Sequence, residues 1–489
     1  MLTIFLLISI IQPQLAKYKV EQVTEFCRHG ARTAFVYFPN ATTIRDLGSG
    51  ILTPNGHRMH YMLGKQIRKQ YPSIFNDNLT SKDVEILASS VERTHLSALS
   101  QMAGLFPLGQ GKNITSKDPD SWTPQFQGYN VTSDIGDFAL PAGYRPVPIN
   151  IISIEQDFLF LPKEGKISCP AGYKLDVKAR KESYAKFNYV VGDLGEQLEN
   201  IGFSSKTLYL TDAWDINTLG QFSSEIKCYI NYYGKVPDEL PLAIWDRLER
   251  FNAFKFFMDY YDRRIVTYKG EMSARAFLAG MEEFVNEGPN RKKFRLFSGH
   301  DTSLYPYTIG FNLTDLQCNL DLVQGRNVTR RCEKAPGFAS NYIFELASKH
   351  DQYYVRILYN NVPVKICKDF DDDYCEFLTF RKVFSDLMIN NEVPFLDICG
   401  NEEALNSRET AFLLTYESDA IYETSLIGCG CIVLLVSVLI CRVLAIKHAI
   451  DKQARHAIFT KHGNDMTDSF KANDIAVIDN RIFHSVLKD

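Results

Sequence analysis

Two arginines and a histidine fall within five residues in Arg28-His29-Gly30-Ala31-Arg32, and these residue types in this order suit a phosphoryl group. Arginine presents a planar, permanently charged fork of donors matched to phosphate oxygens. A neutral imidazole between two such forks can attack the phosphorus they hold, and Gly30 lets the backbone turn sharply between them. Read alone, the stretch is equally well a basic surface loop with an incidental histidine. Two distant stretches bear on that choice. Val91-Glu92-Arg93-Thr94 lies between a short apolar run, 84–89, and a helical pattern, so Arg93 sits beside a helix N-terminus, a natural anion site. On position alone, a salt bridge from Arg93 to Glu92 or another carboxylate is the plainer account. Residues 293–302 read as an apolar strand ending in Gly299-His300-Asp301, with polar groups at the carboxyl end, where open α/β sheets place ligands. If this strand neighbours the one before Arg28, His300 and Asp301 face the Arg28–Arg32 loop; otherwise they only cap a loop.

The elements that must position these groups are legible around them. Residues 20–27 read as a strand whose alternation is blurred by Glu21, Gln22 and Glu25. Thr53 and Pro54 supply an N-cap and a first-turn proline, and Met59, Met62, Leu63, Ile67 and Tyr71 follow at helical steps to give an apolar face. His57 and His60 on that helix have a spacing metals use, but no further ligand is in view and an ordinary or hydrogen-bonded histidine is the simpler reading. Residues 84–89 form a strand, and Leu96, Leu99, Met102 and Leu105 mark the helix after it. From 168 to 288 the texture is helical and rich in Tyr and Lys, most clearly at 176–199 and 242–261. This predicts an α/β core, 17–110 and 289–405, with helices on both faces of a mixed sheet, and a mainly helical insertion, 111–288, roofing the site.

The two ends of the chain read differently. Residues 1–16 carry a short apolar stretch followed by polar and small residues, as in a secretory signal peptide. Residues 426–446 form an apolar run that reaches about 30 Å as a helix if Arg442 snorkels, enough for one bilayer crossing. Basic residues beyond it place the tail, 447–489, in the cytosol. The expected topology is single-pass type I, at the lysosomal membrane or cell surface, with the working region lumenal or extracellular. Six sequons, at Asn40, Asn78, Asn113, Asn130, Asn312 and Asn327, and eight of the eleven cysteines precede the span, where glycans are added and disulfides persist. The lumenal cysteines lack the paired short spacings of a zinc cluster, and Asp371, Asp372 and Asp373 read as a solvated loop rather than a calcium site. A formal net charge of −4 gives no reason to expect nucleic acid as a partner.

With these stretches in hand, the chain resembles the histidine acid phosphatase family, in particular its lysosomal and prostatic-type branch, with a phosphoglycerate mutase-like fold. The resemblance rests on Arg28-His29-Gly30-Ala31-Arg32, Leu52-Thr53-Pro54-Asn55-Gly56 with Leu63-Gly64, Val91-Glu92-Arg93-Thr94-His95-Leu96-Ser97-Ala98 and Gly299-His300-Asp301-Thr302, over nearly the whole region before the span. It departs from the family motif at Ala34, where a proline is usual. The resemblance implies that His29 is the nucleophile and forms a phosphohistidine, and that Arg28, Arg32, Arg93 and His300 bind the phosphoryl oxygens. It gives Asp301 the role of proton donor to the leaving group and then of base toward water. It implies no metal or other cofactor, a small phosphate-monoester substrate, and a homodimer as the open alternative to a monomer. It also implies the bridges Cys169–Cys399, Cys228–Cys332 and Cys367–Cys375, leaving Cys27 and Cys318 over. Two rivals stay open: a phytase-like inositol phosphate phosphatase, for which Lys174, Lys178, Arg180 and Lys181 could furnish a basic mouth, and a lumenal binding or receptor domain without activity.

Overall fold

The computed structural model of the protein describes residues 18–36, 47–76, 79–118, 121–122, 136–161, 165–209, 211–286, 291–368, 372–389, 395 and 399. The chain divides after Tyr416, and every described residue lies before that division. The expected leader 1–16, span 426–446 and tail 447–489 lie outside the described residues, as do Asn40, Asn78 and Asn130. Among the described residues no helix is long and apolar enough to cross a membrane. Asn113, Asn312 and Asn327 are exposed.

The strands are β1 (Lys19–Arg28), β2 (Val84–Ala88), β3 (Asn150–Ile151), β4 (Phe294–Gly299), β5 (Asn341–Lys349), β6 (Gln352–Tyr359), β7 (Val362–Val364) and β8 (Cys375–Glu376). They form one mixed sheet in the order β3-β2-β4-β1-β5-β6-β7, with β8 also on β6. The half from β3 to β1 is parallel and the half from β1 onward antiparallel. Strand β1 sits at the junction and is buried over its last seven residues, which is why its sequence does not alternate. Its polar side chains are tied down instead. Gln22 donates to the Gly280 and Lys292 carbonyls, and Glu25 accepts from Asn341 and Gln101.

The helices are α1 (Pro54–Gln70), α2 (Glu92–Leu105), α3 (Pro170–Phe187), α4 (Leu194–Asn200), α5 (Ser205–Tyr209), α6 (Ile216–Tyr233), α7 (Leu242–Asp259), α8 (Arg263–Asn286), α9 (Asp301–Gly310), α10 (Leu316–Val323) and α11 (Phe377–Met388). Helices α1 and α2 cover one face of the sheet, where Ile67, Met102 and Leu105 pack on Val23, Cys27, Ile86 and Leu296. On the other face Phe277 and Met281 of α8, Tyr307 of α9 and Phe384 of α11 pack on Phe26, Phe297 and Phe344. Thr53 caps α1 by accepting from the Gly56 N–H at 3.1 Å. The apolar face expected on α1 needs one correction: Met62 is 53% exposed. The fully buried stripe is Gly56, His60, Gly64 and Ile67, because small residues let the α1 backbone close on α2. A Cβ on Gly64 would lie 2.2 Å from the Gln101 carbonyl oxygen.

A third core gathers the helical region, with Leu198, Leu219, Phe222, Leu248, Phe251 and Phe254 at its centre. Its limits differ from 111–288. Strand β3 belongs to the sheet and α8 packs on it, whereas Leu316 and Leu320 of α10, beyond 288, pack on the helical core. The cysteine pairing differs as well. Cys169–Cys399 and Cys367–Cys375 are bridged, but Cys332 pairs with Cys318 rather than Cys228. The Cα atoms of Cys318 and Cys332 are 5.9 Å apart, inside the range a disulfide spans. Cys27 and Cys228 are free and buried.

Candidate active site

Three parallel strands end at one edge of the sheet and deliver the polar groups there. Arg28 at the end of β1 is in register with Gly299 at the end of β4, and the His29 N–H donates to the Gly299 carbonyl at 3.0 Å. Arg28-His29 and His300-Asp301 therefore leave adjacent strand ends side by side. Strand β2 flanks β4 on its other side and runs into α2, whose first turn carries Arg93. The loop after β1 is pinned against α1 by a close backbone approach: a Cβ on Gly30 would fall 2.4 Å from the Gly56 oxygen. Glycine is needed here for space.

Arg28, His29, Arg32 and His300 are buried. Asp301 opens α9 and pairs with Arg28, Nη2 to Oδ2 2.7 Å, while the Thr302 N–H donates to its Oδ1 at 2.9 Å. Arg28 also donates to the Pro336 carbonyl at 2.5 Å and lies 4.3 Å over the Phe338 ring. The ring of His29 stands 5.6 Å from that of His300. Its Nδ1–H donates to the Gly30 carbonyl at 2.8 Å, which leaves Nε2 with the lone pair. The Nη2 of Arg93 is 3.4 Å from His300 Nδ1, and Ser89 Oγ is 3.0 Å from His300 Nε2. Arg28 Nε and Arg93 Nε are buried donors without a hydrogen-bond partner among the described residues. A buried donor left unpaired is costly, and here both belong to arginines whose charges act on the same imidazole, that of His29.

The electrostatics follow from this crowding. Burial, then Arg93, Arg28 and His300, push the His29 imidazole well below its ordinary value, so it stays neutral in acid and keeps its lone pair. Burial and the neighbouring Arg93 take His300 down to about 3. For Asp301 burial acts upward, but Arg28, His300 and Arg32 together hold the carboxyl below the usual range. Burial and Arg32 bring Arg93 down to about 10.

The sequence expectation named Arg28, His29, Arg32, Arg93, His300 and Asp301, and the structure brings all of them to this edge. Among the described residues Arg93 makes its contact with His300 rather than a salt bridge. Three partners were not anticipated. Glu225 of α6 reaches from the helical region to Arg32, 3.5 Å away, and accepts the Phe35 N–H at 2.8 Å. Phe35 itself stacks 4.0 Å from the Arg32 guanidinium. Asp157, fully buried and raised to about 7 chiefly by that burial, lies against Ser89, the residue holding His300; in its protonated form its O–H can donate to the Ser89 hydroxyl and leave that hydroxyl's own hydrogen for His300. Glu225 and Asp157 lie in stretches of unremarkable composition, and no local signal marks them. A cavity of about 410 Å³ opens beside Arg28 and Asp301, walled by Met59, Trp245, Phe256, Phe338, Lys227 and Glu249 among others. Arg180 and Lys181 line a different cavity, with Asp215 and Asn217. Among the described residues no group of three or more His, Cys, Asp or Glu is placed to hold a metal ion.

An α/β sheet that sends Arg-His and His-Asp from neighbouring strand ends into a cluster of guanidiniums defines a phosphate-handling class of protein. The chain belongs to the histidine phosphatase superfamily (branch 2), whose family model matches residues 36–360. That match includes Arg93 and His300-Asp301 and begins just after the Arg28–Arg32 loop. Bovine prostatic acid phosphatase is 25% identical over 355 residues, covering 69% of this chain and 76% of the relative. Lysosomal acid phosphatase of Xenopus laevis is 23% identical over 434 residues, covering 86% and 88%. A Klebsiella phytase shares the fold with a TM-score of 0.50 at 14% identity, over 76% of this chain and 95% of the phytase.

Proposed function

We propose that the protein is an acid phosphatase that hydrolyses small phosphate monoesters through a phosphohistidine on His29, without a metal. Arg28, Arg32 and Arg93 hold the phosphoryl oxygens, and His300 donates a further hydrogen bond once Ser89 Oγ–H supplies its Nε2. The Nε2 lone pair of His29 forms the bond to phosphorus as the ester oxygen departs with a proton from Asp301. Water then attacks the phosphohistidine, Asp301 takes its proton, and phosphate leaves. Phosphoryl transfer is chiefly positioning and charge stabilisation, which three guanidiniums provide. The reading is carried by a single observation: a histidine held well below its ordinary pKa by burial, Arg93 and Arg28 stands beside arginines whose Nε donors have no partner among the described residues.

The cavity beside Asp301 favours a small monoester over a highly phosphorylated one, since its wall holds aromatic and apolar side chains and Lys227 is paired near Glu249 at 3.9 Å. The α3 lysines and Arg180 that would have served a phytase-like mouth are not among its lining residues. A receptor without activity is disfavoured by the filled set of site positions. The exposed sequons and the names of the lysosomal relatives support a lumenal or extracellular working side, with the anchor at 426–446. Rapid quench with a radiolabelled aryl phosphate at acid pH tests the chemistry. An acid-labile, base-stable phosphoenzyme should form on the wild type and vanish, together with turnover, in His29→Ala. Full turnover in that variant would reject the mechanism.

A further inference from the structure

Behind the loop that carries His29, on the α1/α2 side of the sheet, a chain of buried polar groups has no part in the mechanism above. Glu25, in the middle of β1, accepts from Asn341 of β5 at 2.8 Å and from Gln101 of α2 at 2.5 Å. The other end of the Gln101 amide meets His60 Nδ1 of α1 at 3.0 Å. His60 Nε2 in turn is 3.0 Å from the carbonyl oxygen of Arg28, the peptide joining the clamp arginine to the nucleophile. Glu25, His60 and Gln101 are wholly buried, and the glycine contacts between α1 and α2 leave no slack around them.

Hydrogen counting makes this chain sensitive to one proton. With Gln101 donating to Glu25, both ring nitrogens of His60 face acceptors, the Gln101 oxygen and the Arg28 oxygen. Both contacts are bonds only if His60 is an imidazolium. If instead the amide is reversed, a protonated Glu25 donates to the Gln101 oxygen, the amide N–H donates to His60 Nδ1, and His60 Nε2–H donates to Arg28. These two arrangements hold the same number of protons and satisfy every group. Removing one proton leaves an ionised Glu25 beside a neutral His60, and one contact becomes lone pair against lone pair, a penalty that a buried network cannot relieve with water.

We propose that Glu25, Gln101 and His60 are positioning residues that fix the Arg28–His29 peptide through a shared proton, and that losing this proton at higher pH loosens the nucleophile. Burial holds Glu25 up to about 7, against its bonds from Asn341 and Gln101, and takes His60 down to about 4. The doubly neutral arrangement therefore prevails in acid. The groups facing the relay are Cys27 on β1, whose thiol is pushed up by burial and by Glu25, Asn341 on β5, and His57 on α1, which acts on His60 downward. The inference rests on His29 being the nucleophile.

The test uses the full chain and 4-nitrophenyl phosphate, whose leaving group asks little of Asp301. Glu25→Gln, with an amide that cannot ionise, should hold its own plateau kcat at least about one pH unit further into alkali than the wild type. His60→Leu should lose about tenfold or more in kcat, and His60→Gln, whose longer side chain can still bring an amide N–H to the Arg28 carbonyl, should recover part of that loss. An infrared difference between the wild type and Glu25→Gln at pH about 5 should show a protonated carboxyl band assignable to Glu25, as a carboxyl titrating well above the ordinary range requires. An unmoved alkaline limb in Glu25→Gln, or no such band, overturns the proposal. The infrared arm decides it if the His60 variants do not fold. Turnover by His29→Ala would defeat the mechanism itself, whereas an inactive His29→Ala beside an unshifted Glu25→Gln would defeat only the relay.

Discussion

Replacing Asp301 with Asn separates two effects that the ion pair with Arg28 joins. In the free protein Asp301 holds Arg28 at 2.7 Å, so an incoming phosphoryl group competes with this carboxylate for the guanidinium. At an effective dielectric of about 20, charges at that distance attract by an upper bound of about 6 kcal/mol. Even a quarter of this, about 1.5 kcal/mol, is a factor of a little over ten in binding. Asp301→Asn should therefore bind inorganic phosphate about tenfold tighter or more. The same change removes the proposed proton donor, an effect worth about 10² to 10⁴ in rate where the leaving group is a poor one. Paired assays with an alkyl phosphate and 4-nitrophenyl phosphate, each with phosphate as competitive inhibitor, read both effects. The kcat for the alkyl ester should fall by about 10² or more and that for the nitrophenyl ester by less than about tenfold. Equal losses on the two esters would refute the acid role, and weaker phosphate inhibition would refute the competition for Arg28.

Gly30→Ala puts a Cβ 2.4 Å from the Gly56 oxygen, so it should cost about 3 kcal/mol or more, seen as a lower urea midpoint together with lost activity. Asp157, raised to about 7 by burial, binds a proton in the folded state that the unfolded chain releases near pH ~3.9. Its contribution is thus full below that pH and is lost as pH rises toward 7, at up to about 1.4 kcal/mol per pH unit. Asp157→Asn should flatten urea-derived stability across that window relative to the wild type. Non-reducing peptide mapping should recover Cys318 with Cys332 and an alkylatable Cys228 after unfolding; a Cys228–Cys332 peptide would contradict the pairing found here.

What the sequence could reveal was the chemistry that depends on neighbours along the chain. Arg28, His29 and Arg32 share one loop, His300 and Asp301 another; the second follows an apolar run that reads as a buried strand, the first a strand pattern blurred by Glu21, Gln22 and Glu25. That the two runs are adjacent and parallel was a conditional inference, decided by the β1–β4 register. Glu225, Asp157 and the Glu25–Gln101–His60 relay were out of reach because each acts across elements far apart in sequence. Glu25 even counted against its strand, since a carboxyl in an apolar run reads as a blemish until Asn341 and Gln101 are seen beside it. The Cys228 pairing failed for a related reason: similarity of flanking residues does not measure where the Cα atoms fall. Met62 missed because helical spacing names an apolar face but does not say that α2 contacts its glycine side instead.

The charges around His29 predict, for the proposed mechanism, an acid optimum that does not depend on leaving groups. Arg28, Arg32 and Arg93 bring three positive charges, and Asp301 and Glu225 offset two of them in the free protein, while burial and the arginines keep His29 and His300 neutral. A phosphate dianion arriving beside an ionised Asp301 would leave this buried cluster with net negative charge, which a low-dielectric site resists. If Asp301 takes a proton as the dianion enters, the cluster becomes neutral and the carboxyl is already in the form that protonates the leaving oxygen. The shift is upward from a free-state value that Arg28, against burial, holds below the usual range. Binding of inorganic phosphate should therefore take up close to one proton per site at a pH where phosphate is the dianion and free Asp301 is ionised. Titration calorimetry in buffers of different ionisation enthalpy measures this directly. Asp301→Asn should abolish the uptake while keeping the binding, and uptake that persists in that variant would assign the proton to another group.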